Sequence, residues 1–243
     1  MSFKQLQETW DAFGRQDPLW AILSHKDKRG NRWELSDFMA TGCNEIQEVL
    51  DYARSLGQDL PMNRALDFGC GVGRLSQALA EHFQEVCGVD VAASMLDRAR
   101  ELNRHGERCT YHLNETPDLS RFGDGEFDFV YSNITLQHMA PAFAAAYIRE
   151  LCRVLSPRGM LIFQLPSKLK PGRFGMFVVR LRRGASLLLS RALRKGPVMD
   201  MFGTPPERVR ELVSAAGAKV LDAQENQHAG PGWTSYRYCV VRD

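Results

Sequence analysis

Three glycines at alternate positions, Gly69, Gly71 and Gly73, follow the apolar run Arg64-Ala65-Leu66-Asp67-Phe68. Two acids frame them. Asp67 stands two places before the first glycine, and Asp90 closes a second apolar run, Val86-Cys87-Gly88-Val89. Glycine tolerates the backbone angles of an abrupt turn, and without Cβ atoms a ligand can lie against the main chain. The start of the following helix offers N–H groups and a partial positive charge, suited to a carboxylate or phosphate. A carboxylate at the end of the next strand suits a pair of ribose hydroxyls. The elements that must position these groups are a strand, a turn, a helix and a second parallel strand.

Two ligand classes compete for such a turn. Dinucleotide sites use G-x-G-x-x-G, whose third glycine allows close helix packing. Here Arg74 occupies that third place. Asp67 would repel a pyrophosphate but could hold an ammonium group, directly or through water. The ligand these residues favour joins a ribose to an amino-acid zwitterion, as S-adenosylmethionine does. The stretch Leu66-Asp67-Phe68-Gly69-Cys70-Gly71-Val72-Gly73-Arg74 resembles the first motif of class I S-adenosylmethionine-dependent methyltransferases. Val89-Asp90-Val91-Ala92-Ala93-Ser94-Met95-Leu96 resembles their second segment, and Phe127-Asp128-Phe129-Val130-Tyr131-Ser132-Asn133 their fourth strand. Leu151 to Leu161 resembles the approach to the fifth. The likeness covers roughly Arg64 to Pro166.

The resemblance implies an α/β fold: a Rossmann-like, seven-stranded, mostly parallel sheet with helices on both faces and an antiparallel last strand. It implies S-adenosylmethionine as cofactor and S-adenosylhomocysteine as product. Gly69, Gly71 and Gly73 would shape the cofactor turn, with Asp67, Cys70 and Arg74 beside it. Asp90 would hold the ribose, Val91 and Met95 would flank the adenine, and Asn114 and Ser132 would complete the pocket. The Gly-Asp pair common near Asn114 in that family is missing here. Ser132 and Asn133 stand where metal-dependent members place acids, so no metal is expected.

Methyl transfer needs the nucleophile, methyl and sulfur in line, and a neutral hydroxyl acceptor also needs a base. His138 follows the expected fourth strand and is the candidate catalytic residue, because histidine exchanges protons near neutral pH. A support role for the pocket is the competing reading. Gln137 is a further candidate contact, and His25 could reach the acceptor from the N-terminal layer. His228, beside Gly230-Pro231-Gly232-Trp233, is a candidate for a pocket rim, while His82, His105 and His112 read as surface or packing residues.

With 243 residues, 44% hydrophobic and 25% charged, the chain suits one soluble domain with additions. The first residues lack the basic and apolar regions of a signal peptide, and no apolar run is long enough to span a bilayer. Six scattered cysteines without a C-x-x-C pair read as reduced thiols in a cytoplasmic protein. The formal net charge is +2, yet Leu151 to Met199 holds 11 of the 31 basic residues and no acidic one. Within it, 168–195 mixes basic and apolar residues, a pattern of helices that lie on anionic membranes, attract phosphorylated acceptors, or merely cover a sheet. No nucleic-acid-reading motif is present.

In chain order, residues 1–60 are expected to form a helical layer or lid and 61–243 the core, with a basic helical insertion at about 167–203. Helices are expected at Phe3–Phe13, from Asp17 as cap, at Thr41–Leu56, Ser94–Asn103, Pro141–Leu155 and Glu207–Ala216, the last capped by Thr204. The acceptor expected is a small molecule or a lipid- or nucleotide-linked one, anionic or glycosylated. The alternatives are a cofactor-binding regulator or scaffold without transfer activity, and a nicotinamide oxidoreductase, which Arg74 and Asp67 argue against.

Overall fold

Successive side chains of a strand point to opposite faces, and here both faces are apolar. Ala65, Phe129, Tyr131, Met160, Ile162 and Cys239 pack on one side of the sheet, and Leu66, Phe68, Val130, Leu161, Phe163, Tyr238 and Val240 on the other. A sheet buried twice must carry helices on both faces. The computed structural model describes residues 1–170 and 197–242 and has that arrangement.

The strands are β1 (Arg64–Phe68), β2 (Glu85–Asp90), β3 (Cys109–Leu113), β4 (Phe127–Ser132), β5 (Leu155–Leu169), β6 (Lys219–Asn226) and β7 (Trp233–Val241). Their order is β3-β2-β1-β4-β5-β7-β6, with β7 antiparallel to both neighbours and the other pairings parallel. The helices are α1 (Phe3–Gln16), α2 (Pro18–Ile22), α3 (Leu35–Ser55), α4 (Arg74–Leu79), α5 (Ala93–Leu102), α6 (Pro141–Arg153) and α7 (Pro206–Ala215). Residues of α3, α4 and α5 cover one face, and those of α6 and α7 the other. The chain leaves β1 for β2 on one side and β4 on the other, so a crevice opens at the strand ends where a ligand binds in such sheets.

The N-terminal segment docks over that end. Ala92 caps α5 without a side-chain acceptor, and Asp11 of α1 supplies one, accepting from Ser94 N at 2.9 Å while Ser94 Oγ donates to the Asp11 carbonyl at 2.8 Å. Gly14 permits the approach, since a Cβ there would run into the Ser94 hydroxyl.

Several local expectations need correction. Asp17 stands at the N-cap position of α2, as expected, but its side chain makes no capping bond; its Oδ2 accepts from Gly30 N at 2.6 Å and Asn31 N at 3.1 Å, pinning the following loop. Thr204 does not cap α7; Pro205 holds that place, Pro206 starts the helix, and Thr204 N donates to Pro166 O. The insertion does not begin at 167. There β5 runs on to Leu169, because β7 continues the pairing to Trp233. The helix expected within 168–195 falls mostly on residues 171–196, outside the described residues. No helix among the described residues is long and apolar enough to cross a membrane.

Candidate active site

The glycine turn follows β1 with Gly69, Gly71 and Gly73 all left-handed, at φ of 80°, 53° and 81°. Positive φ would strain any residue with a Cβ, which is why the alternate spacing matters. Space matters as much: a Cβ on Gly69 would run into the Thr135 side chain, and one on Gly71 would lie 2.6 Å from Ile22 Cδ1. The turn is folded back on β2. Gly69 N and Cys70 N donate to Val89 O at 2.8 and 3.0 Å, and Gly71 N donates to Asp90 Oδ2 at 2.9 Å.

A cavity of about 830 Å³, part of it open to solvent, lies against this turn. Gly69, Cys70, Gly71, Arg74, Asp90, Val91, Met95 and Asn114, all singled out from sequence, line it. Leu6 and Trp10 of α1 and Ala21 and Ile22 of α2 add an apolar wall. Asn133, Ile134 and Thr135 close the side beyond β4.

Asp90 sits at the tip of β2. Burial raises its carboxyl pKa, while main-chain N–H groups, those of Ala92 and Gly71 foremost, pull it down. Asn114 is buried, and its Nδ2 donates to Thr116 O and to Tyr147 Oη, both at 2.9 Å. Those bonds leave its Oδ1 as the acceptor. Cys70 carries a thiol pushed well above its ordinary pKa by burial, so it stays neutral.

Four residues stand elsewhere than expected. Asp67 does not line the cavity. Strand alternation turns it toward α4, opposite in parity to Leu66 and Phe68, and Ser76 Oγ donates to it at 2.6 Å. Gly73 shapes the turn as the residue before α4 without lining the cavity; Tyr111 fills the space beside it. Ser132 is buried at the end of β4, where its hydroxyl donates to Phe68 O at 3.0 Å. His138 is buried too, and both its ring nitrogens are taken. The Asp200 carbonyl, which can only accept, lies 2.8 Å from Nδ1, so Nδ1 carries the proton; Gln137 Nε2 donates to Nε2 at 3.1 Å. Burial pushes its pKa down to about 4. This geometry leaves it no free lone pair for a substrate proton. Its partners continue through Gln137 to Gln164 and on to Ser235, a buried network that ties the strand ends together.

Sequence reasoning missed Glu45 on α3. Its Oε2 accepts from Arg74 at 2.8 Å, and its Oε1 accepts from Tyr131 Oη at 2.9 Å and from Asn133 Nδ2 at 2.6 Å. It missed Ile134 as well, which holds φ of 57°, a genuine outlier for a β-branched residue. Gln164 Oε1 accepts the Ile134 N–H at 3.2 Å and fixes that strained peptide at the cavity wall.

Asp67 gives a pH prediction. Desolvation pushes its pKa up to about 7, against the pull of Ser76 and Arg74. Between an unfolded value near 4 and the folded value near 7, the native state keeps a proton that the unfolded chain has lost. Stability therefore falls as pH rises across that window and levels off above it. Asp67→Asn should remove the fall, so its advantage in urea midpoint over the unsubstituted protein should grow from pH 4 to 7. Parallel midpoints across that range would refute the assignment.

A family model described as a methyltransferase domain matches residues 65–159. The ubiquinone biosynthesis O-methyltransferase of Xanthomonas oryzae pv. oryzae is 32% identical over 163 residues, 65% of each chain. Residues 65–159 are thus similar to a methyltransferase domain, and the fold is one that S-adenosylmethionine-dependent methyltransferases adopt. The 2-methyl-6-phytyl-1,4-hydroquinone methyltransferase of Synechocystis is 29% identical over 64% of this chain and 48% of its own length. The chain thus spans about half to two thirds of these curated relatives. Among solved structures, the magnesium protoporphyrin IX methyltransferase of Synechocystis with bound S-adenosylhomocysteine superposes with a TM-score of 0.66, covering 100% of both chains at 18% identity, a likeness of fold. The matched family segment begins at Ala65 and ends at Gly159, so it takes in β1 to β4 and the cavity turn but neither α1 nor α3.

Proposed function

We propose that this chain is a class I S-adenosylmethionine-dependent methyltransferase, which binds S-adenosylmethionine in the cavity and moves its methyl group to a small-molecule acceptor. One observation carries the reading: the glycine turn, the Asp90 carboxylate and the apolar pair Val91 and Met95 converge on a single cavity at the strand ends. The residues fit such a ligand. Asp90 keeps a spare lone pair on each oxygen for a ribose hydroxyl, since each accepts one main-chain N–H. Val91 and Met95 offer apolar faces to a purine, and Asn114 Oδ1 can accept from its exocyclic amine. The bound ligand supplies a methyl already activated on a positively charged sulfur. The chain contributes alignment and exclusion of water, through the wall of Leu6, Trp10 and Ile22.

The acceptor we favour is an apolar ring compound, because Leu6, Trp10 and Met139 make that side of the cavity apolar. The names of the relatives point the same way, toward quinone-type and porphyrin acceptors. Titration calorimetry tests the cofactor half: S-adenosylhomocysteine should bind and NADH should not, and the reverse would sink the proposal. Extracts incubated with methyl-labelled S-adenosylmethionine test the transfer half. A bound cofactor with no labelled small molecule would favour a regulator.

The acid-free stretch carries a separate proposal, peripheral contact with anionic membrane through 168–195. Vesicles with a quarter of their lipid anionic should sediment the protein in low salt, and neutral vesicles should not. Equal binding to both would remove the electrostatic basis.

A further inference from the structure

A hydroxyl acceptor must lose a proton as its oxygen takes the methyl, and the cavity wall offers no base for it. The ionisable groups lining it, among the described residues, are Arg74, Asp90 and Cys70. Arg74 is a buried cation paired with Glu45, Asp90 is placed for the ribose, and the Cys70 thiol is held neutral. His138 has no free nitrogen. One histidine touches a lining residue. His228, exposed in the turn between β6 and β7, places Nδ1 3.0 Å from Oδ1 of Asn133, which itself lines the cavity.

The chain of bonds behind that contact fixes the histidine's proton. Glu45 Oε1 can only accept, so the Asn133 atom 2.6 Å from it is the NH₂ group. The other end of the Asn133 amide is then its oxygen, which can also only accept. His228 Nδ1 must therefore carry a hydrogen and donate it. In the neutral ring this leaves the lone pair on Nε2, which has no protein partner among the described contacts. A side-chain oxygen that orients a histidine through one ring nitrogen and leaves the other free is the arrangement by which nucleophile-activating bases are held elsewhere in enzymes.

We infer that His228, oriented by Glu45 through Asn133, is the general base that takes the proton of a hydroxyl acceptor. The inference rests on the methyl-transfer reading above and names its acceptor class. The acceptor oxygen forms its bond to the methyl carbon, and the carbon–sulfur pair leaves with the sulfur. The hydroxyl proton passes to Nε2, and from there to solvent. Asn133 and Glu45 are positioning residues. The main-chain N–H of His228 donates to Asn226 Oδ1 at 3.2 Å, which steadies the turn that presents the ring.

Two measurements test it on the full chain. The first needs no turnover. Long-range ¹H–¹⁵N spectra of the protein saturated with S-adenosylhomocysteine should show that the neutral form of the His228 ring carries its proton at Nδ1. Asn133→Ala should shift it toward the Nε2-protonated form. A ring already protonated at Nε2 in the unsubstituted protein overturns the inference. The second uses phenols of graded acidity, from catechol to a nitrophenol ionised at the assay pH. His228→Gln should slow catechol methylation about 100-fold or more, the usual range for a lost base, and the nitrophenol only a few-fold. Equal losses across the series overturn the inference. So does a protein that binds S-adenosylhomocysteine yet methylates no phenol. Failure to bind S-adenosylhomocysteine at all is a different result: it removes the cofactor reading itself, and this inference with it.

Discussion

Asp90→Ala is expected to lower S-adenosylhomocysteine affinity about 100-fold. The carboxylate sits on the cavity wall, with Gly71 N and Ala92 N each donating to a different oxygen at 2.9 Å. Those bonds hold the group in place and leave one acceptor site per oxygen. A hydrogen bond to a charged group contributes about 1.5–3 kcal/mol, so losing two ribose contacts costs about 3 kcal/mol even at the low end, or two decades in Kd. Alanine also frees the Gly71 N–H, so the turn that carries the left-handed glycines loses an anchor. Asp90→Asn keeps the shape and one oxygen, and should fall between. Because burial raises the Asp90 pKa, affinity should weaken as pH drops through that raised value, where the acceptor pair becomes half an acid. Calorimetry on variants shown by circular dichroism to be folded checks the effect. A folded Asp90→Ala protein with unchanged affinity would end the assignment of the ribose site.

What could be read from the chain alone follows the range of the interactions. The glycine turn is local: three left-handed positions within five residues leave a mark in the residue types themselves. Strand parity is local too, and the orientation of Asp67 was available from it. Counting from Leu66 and Phe68, both on the face covered by α6 and α7, puts Asp67 under α4 and away from the cavity. The motif suggested a ligand contact, and the alternation along β1 wins. The role of His138 was not available, because the groups that occupy its nitrogens come from Gln137 beside it and from Asp200 far along the chain. Ile134 contradicts its own local preference and is held by a side chain of β5. Glu45 is the clearest case. On α3 it reads as one more acid on an amphipathic helix, and only packing of that helix against α4 and the end of β4 makes it a hub.

That hub predicts the largest loss of stability in the molecule. Arg74 is only 3% exposed and its partner Glu45 17%, so the pair is largely out of water. Removing one member of a buried pair leaves an uncompensated charge and costs about 3–5 kcal/mol, well above what the pair itself contributes over an apolar replacement. Glu45→Ala should therefore lose about that much in urea unfolding, with Tyr131 Oη and the Asn133 amide stranded as well. The second half of the argument is a rescue. Arg74→Met alone leaves Glu45 without its cation, but Glu45→Leu with Arg74→Met removes both charges and keeps volume. The double variant should regain most of the loss, because the penalty lies in the orphaned charge and not in a missing contact. Its cost should appear at the site instead. Without Glu45 nothing orients Asn133, so the His228 ring should lose its preference for the Nδ1 proton even in a fully stable protein. A double variant as unstable as Glu45→Ala would mean that the pair supplies shape and packing, and that α3 is held to the core by something other than this charge.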